Sequence, residues 1–160
     1  MTLWTDRQPI VAAMLNPALI CALLATASEG YRKESAQGMP WVLSFVVAPM
    51  VLHRGTREAL PATTKTHLTT WASRHPVLRA GFPPRAQGLV QAVREGTRFG
   101  LAHGVLRIDA DRLHASVRRP RGFRTPAELD EILRKANLMG RWLAKTDSPT
   151  TIFAVLGVAP

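Results

Sequence analysis

Apolar residues recur at helical spacing along most of this chain and at strand spacing in one place only. From Pro17 to about Ala36 the sequence is apolar on nearly every side through Leu24 and polar from Glu29 onward. That predicts a helix whose first half lies in the centre of the domain. Asn16 is placed to cap it and Pro17 to open it, and Gly38-Met39-Pro40 ends it. A second helix is expected from Pro40, carrying Trp41, Leu43, Phe45, Val46 and Val47, with Pro49 kinking or ending it because the ring removes a backbone donor. Residues 54–64, with Gly55 and Leu60-Pro61, read as a loop. Residues 65–74 read as a shorter helix with Leu68 and Trp71 on its inner face, stopped at His75-Pro76.

Pro83-Pro84 opens the longest regular segment, which runs to His103 on the anchors Leu89, Val90, Val93 and Leu101. Ala92, Gly96 and Gly100 recur along one stripe of it. Each glycine costs a helix about 1 kcal/mol relative to alanine, so the stripe is expected to lie against another backbone inside the molecule. Gly104 stands at the C-cap. The one strand signal follows: Val105 to Asp109 and Arg112 to Arg118 flank Ala110-Asp111, with Leu106, Ile108, Leu113, Ala115 and Val117 alternating with polar residues. This predicts a hairpin with one buried face. Thr125-Pro126-Ala127-Glu128 reads as a capping box opening a helix on Leu129, Ile132, Leu133, Ala136, Met139 or Gly140, and Leu143. Ser148-Pro149 caps a last short helix to Val155 or Leu156.

The expected fold is therefore mainly α with one β-hairpin, a winged-helix-like single domain over residues 1–160. Residues 1–15 form an N-terminal arm, residues 16–124 the helices and wing hairpin, and residues 125–160 the C-terminal helices. Residues 83–103 take the place of the recognition helix and the turn from Asp109 to Arg112 that of the wing tip.

Composition narrows the function classes. With 46% apolar and 20% charged residues over 160 positions, the chain can bury a core and is not a disordered basic tail. The single Cys21 excludes a disulfide framework and multi-thiolate zinc sites. Lys and Arg number 21 against 11 Asp and Glu, and residues 51–124 hold 14 of the basic residues against four acidic ones, the whole of the +10 excess. An asymmetry of this kind suits a polyanion or an acidic protein partner. Its densest part is the loop from Arg118 to Arg124, so Arg107, Arg112, Arg118, Arg119, Arg121 and Arg124 are the candidate binding residues, for DNA or for an acidic partner. Residues 8–28 are free of charge and contain Ala25-Thr26-Ala27, a small-residue pattern like a leader cleavage site. Asp6 cancels Arg7 ahead of it and Asn16-Pro17 interrupts it, so buried helix, a cytoplasmic location and no membrane partner are expected.

No catalytic constellation emerges. His53, His67, His75, His103 and His114 are scattered without ligand spacing, so no metal is expected. No glycine-rich loop is followed by Lys and Ser or Thr, so no nucleotide or other cofactor is expected. Glu128, Asp130 and Glu131 suit the first turn of a helix better than paired acid catalysis. The reading is non-enzymatic.

Several short motifs carry a resemblance: Asn16-Pro17-Ala18-Leu19-Ile20, Glu29-Gly30-Tyr31, Gly38-Met39-Pro40-Trp41, Pro49-Met50-Val51-Leu52-His53, Thr56-Arg57-Glu58-Ala59-Leu60-Pro61 and Arg98-Phe99-Gly100-Leu101-Ala102-His103-Gly104. From about Asn16 to Pro160 the chain resembles the middle component of bacterial three-component ABC systems. The resemblance implies a small non-catalytic subunit that bridges or restrains a Rad50-like or SMC-like ATPase and a separate effector nuclease, as in Lamassu-type anti-phage defence. Double-stranded DNA is a further expected partner. The alternative is a stand-alone winged-helix DNA-binding transcriptional regulator, which should dimerise and prefer a palindromic site.

Overall fold

In the structure, a computed structural model, residues 8–9, 15–118, 121–146 and 148–159 are described. Helix α1 (Pro17–Ser35) begins where Asn16 accepts the Ala18 N–H at 2.8 Å. It ends at Ala36, which adopts the left-handed φ of +59°. Strand β1 (Met39–Pro40) and a 3-10 turn (Trp41–Leu43) lead into α2 (Ser44–Leu52). Then come α3 (Arg54–Ala59), α4 (Leu68–Arg74), α5 (Pro76–Ala80) and the long α6 (Phe82–Ala102). Strands β2 (Leu106–Asp109) and β3 (Arg112–Ala115) form the hairpin, and α7 (Ala127–Ala144) and α8 (Pro149–Leu156) close the chain.

The core is organised around α1, whose Ile20, Leu23, Leu24, Ala25 and Ala27 are wholly buried. The small stripe of α6 does pack internally. A Cβ on Gly96 would stand 2.5 Å from the Ile20 side chain, and one on Gly100 2.5 Å from Leu106 and 2.8 Å from the Cys21 sulfur. A second close crossing brings α7 onto the other side of α1. There Gly140 faces the Ala27 carbonyl and Gly30 faces the Asn137 carbonyl, each too near for a Cβ to fit between.

The hairpin is joined by a strand that the periodicity did not disclose. The sheet is antiparallel in the order β1-β3-β2, with Met39 opposite Leu113 and Ile108 opposite Leu113 from the other side. A two-residue strand has no alternation to detect, and Met39-Pro40 reads as a helix stop. The Ser28 hydroxyl donates to the Leu113 carbonyl at 2.8 Å and so ties the sheet to α1. Of the expected buried face, Leu106 and Leu113 are inside, whereas Ile108 and Val117 are 37% and 38% exposed.

Four further expectations are corrected. The second helix starts at Ser44, not Pro40, and Pro49 lies inside it without ending it. Val46 to Val51 are all buried, and that packing outweighs one missing backbone bond. Residues 54–64 are not all loop, because α3 occupies residues 54–59. The helix from residue 65 begins only at Leu68, and the short α5 follows the break at Pro76. The capping box is not made: Pro126 takes the N-cap position, so Glu128 falls one residue short of the place where a box would use it. The Thr125 hydroxyl instead donates to the Asp130 carboxylate at 3.3 Å.

The short α3 is held by side chains. His53 Nδ1 accepts the Thr56 N–H at 3.1 Å and the Thr56 hydroxyl at 2.8 Å, while Arg85 donates to that hydroxyl at 3.3 Å. Burial, and then the Arg85 and Arg57 cations, push the imidazole below its ordinary value. The folded chain therefore holds His53 neutral while, as pH falls through the ordinary histidine range, the unfolded chain takes up a proton. Stability should fall from about pH 7.5 to about pH 5 by less than one proton, under about 1.4 kcal/mol per pH unit. His53→Asn, which keeps a capping side chain, should flatten that component. Urea titrations of both proteins at the two pH values check it, and identical pH dependence would refute it.

Candidate nucleic-acid interface

Strand alternation sorts the hairpin into two faces. Leu106, Ile108, Leu113 and Ala115 share one, and Arg107, Asp109, Arg112 and His114 share the other, with Arg107 opposite His114 and Asp109 opposite Arg112. The turn is made by Ala110 at a φ of +53°. The candidate cations on this face are partly neutralised: Arg107 lies 3.3 Å from the Asp109 carboxylate and Arg112 lies 3.4 Å from that of Asp111. Arg112 also donates to the Gly38 carbonyl at 3.3 Å, which anchors the segment entering β1.

The loop after β3 differs. Arg118, Arg121 and Arg124 are exposed and have no ion-pair partner among the described residues. Gly122 turns the chain at a φ of +78°, and Phe123 beside it is 66% exposed. Arg119 lies outside the described residues. The structure thus places the free charge on the loop and a charge-balanced surface on the hairpin. Unpaired guanidiniums can contact phosphates without reading base sequence, or bind carboxylates in a bidentate manner.

Part of the basic excess is internal. Arg57 is only 4% exposed and Arg85 donates to the Leu78 carbonyl at 2.9 Å, so these two cations brace the fold and are not available to a polyanion. An arginine that brackets carbonyls looks the same in sequence as one in solvent, so the charge count alone does not separate the two. Near the C-terminus Phe153 is not a surface residue, being 5% exposed, and Trp4 lies outside the described residues. Arg94 carries no distinguishing signal in the sequence. It stands exposed on α6, without a partner among the described residues, beside an apolar cleft.

Residues with nucleophilic or ligand chemistry are accounted for by packing. Cys21 is buried in α1 and burial pushes its thiol up, which makes it inert at neutral pH. His103 Nδ1–H donates to the Phe99 carbonyl at 2.8 Å, and the imidazole stacks on the Phe99 ring at the end of α6. Among the described residues no three of His, Cys, Asp or Glu could hold a metal ion, and no helix is long and apolar enough to cross a membrane.

A family model described as ABC-three component (ABC-3C) system Middle Component 3 matches residues 4–160. No curated protein and no solved structure matches the chain.

Proposed function

The chain belongs to the Middle Component 3 family of ABC-three component systems, and from that premise we propose that it is the non-catalytic subunit bridging a Rad50-like or SMC-like ATPase and an effector nuclease in Lamassu-type anti-phage defence. On this reading it works in the cytoplasm with those two subunits, and its loop cations Arg118, Arg119, Arg121 and Arg124, flanked by Arg107 and Arg112, lie along double-stranded DNA without reading its sequence. The observation that carries the DNA part is the set of arginines in the loop that leaves the hairpin, Arg118, Arg121 and Arg124, exposed and without an ion-pair partner among the described residues. The element order supports a winged helix: a strand after the first helix, a long helix before the hairpin, and sheet order β1-β3-β2.

The triple variant Arg118→Glu, Arg121→Glu, Arg124→Glu should lower duplex affinity at least about 100-fold at low salt and flatten the salt dependence by about 0.9 for each phosphate no longer neutralised. Fluorescence anisotropy on a random-sequence duplex at several salt concentrations measures both. Unchanged affinity and slope would remove DNA from the proposal and leave the loop to an acidic partner. The same topology also serves stand-alone regulators, which would dimerise and protect a palindromic site in a footprint. Co-purification with the ATPase and effector encoded beside it, as a non-palindromic binder, separates the two.

A further inference from the structure

A cleft of about 700 Å³ opens between the first half of α6 and the turn that leads into α2, with the end of α8 as its floor. Its walls are Trp41, Phe45 and Val90, its floor Phe153 and Val158, and Arg94 is the one charged side chain among the described residues lining it. We propose that this cleft anchors a linear segment of another protein subunit of the same system, with apolar side chains seated against Trp41, Phe45 and Val90 and an adjoining Asp or Glu on Arg94. The inference rests on the subunit reading above.

The cleft is preformed. Trp41 keeps 39% of its surface exposed, yet its backbone N–H is bonded to the Asp111 carbonyl at 2.9 Å and its ring stands edge-on to Phe45 at 5.8 Å. A partly exposed tryptophan held this way loses little freedom on binding, and such residues dominate interface energies. The volume falls within the roughly 300–1,000 Å³ of ordinary ligand clefts, concave space that takes projecting side chains. A short chain segment fits where a globular face does not.

Charge selects the occupant. Arg94 has no partner among the described residues, so a carboxylate reaching it gains a bidentate contact without displacing another. A second copy of this chain would bring a further +10 toward the first, which opposes self-association. Nucleic acid needs a run of cations for its phosphates, and the rest of the lining carries none.

The test co-expresses the full chain with the ATPase and effector components encoded beside it. A photo-crosslinking benzophenone amino acid replaces Gln87, an exposed residue of the cleft rim. Irradiation should link the chain to a peptide of one of those components in which large apolar residues adjoin an Asp or Glu. Arg94→Glu and Trp41→Ala should each weaken that association about tenfold or more, and Arg98→Glu, exposed one turn further on, should leave it within about twofold. Retained circular dichroism and melting temperature show that a loss is not misfolding. If the components never co-purify with the unmodified chain, the subunit reading falls and this inference with it. If they co-purify but the crosslink goes to residues 1–14 of the same chain, a second copy, nucleic acid, a peptide without an acidic residue, or nothing, the subunit reading stands and this inference is overturned. Equal loss in the Arg94 and Arg98 variants would likewise overturn it.

Discussion

Gly140→Ala is expected to destabilise the protein by at least about 3 kcal/mol, in a substitution that adds one methyl group and improves helix propensity. At this crossing the backbone of α7 lies on that of α1, and an ideal Cβ would meet the carbonyl oxygen, the carbonyl carbon at 2.7 Å and the Cα of Ala27 at 3.0 Å. All three are backbone, so no rotamer change relieves the clash, and α7 must lift off α1. Gly30→Ala does the same from the opposite helix, against the backbone of Asn137. The lift would also disturb neighbouring ties, the Asn137 amide to the Thr26 carbonyl at 3.4 Å and the Glu34 carboxylate to Arg141 at 2.8 Å. Gly88→Ala is the control, since a Cβ there meets nothing within 4 Å, and it should stabilise slightly. Urea unfolding midpoints of the three variants decide it. A cost below about 1 kcal/mol at Gly140 would mean that the two helices do not meet backbone to backbone.

Arg57→Ala should cost about 3 kcal/mol, the second large effect. The guanidinium donates to the Val51 carbonyl at 2.8 Å and the Leu52 carbonyl at 3.4 Å, the last acceptors of α2. It also faces Glu128 at 4.0 Å and Glu131 at 3.9 Å across to α7. The two contributions are unequal. The carboxylates are too far for good hydrogen bonds, and the Glu128 side chain is 80% exposed, so those pairs contribute little. The Val51 carbonyl is buried at a helix end and that of Leu52 partly so, and losing a charged donor there costs about 1.5–3 kcal/mol before the cavity is counted. Accordingly Glu128→Gln should shift stability by less than about 0.5 kcal/mol. Arg57→Lys should recover only part of the loss, because a single ammonium cannot reproduce the planar fork. Thermal melts of the three proteins check the ranking, and a larger effect at Glu128 than at Arg57 would reverse the assignment.

What could be read along the chain was whatever a single element displays by itself. The helix from Pro17 announces itself through its cap, its opening proline and its apolar half, and the structure starts it at that residue. The hairpin turn at Ala110-Asp111 follows from alternation on either side, and the register observed is the one that alternation implies. The stripe of Ala92, Gly96 and Gly100 pointed to close packing because glycine in a helix interior is costly without it, and its partner is α1. Gly30 carried no such signal, being a lone glycine near a helix end, yet it matters as much as Gly140. The candidate interface was legible only as charge. That Arg107 and Arg112 are balanced by neighbouring carboxylates while Arg118, Arg121 and Arg124 have none among the described residues depends on which side chains the fold brings within reach.

Local spacing, caps and the distribution of charge were enough to establish a mainly helical chain with one hairpin, a basic middle and an arginine-rich loop after the strands. Tertiary structure alone decided that Met39-Pro40 is a strand, that residues 54–59 are helical, that Arg57 and Arg85 are internal braces, and that Trp41 and Arg94 meet at one cleft. The division has one physical cause. Backbone hydrogen bonds and periodicity act over a few residues and are written in consecutive positions, whereas burial, ion pairing and clefts depend on residues such as 57 and 128 or 41 and 94 being brought together by the close crossings at Gly30, Gly96 and Gly140.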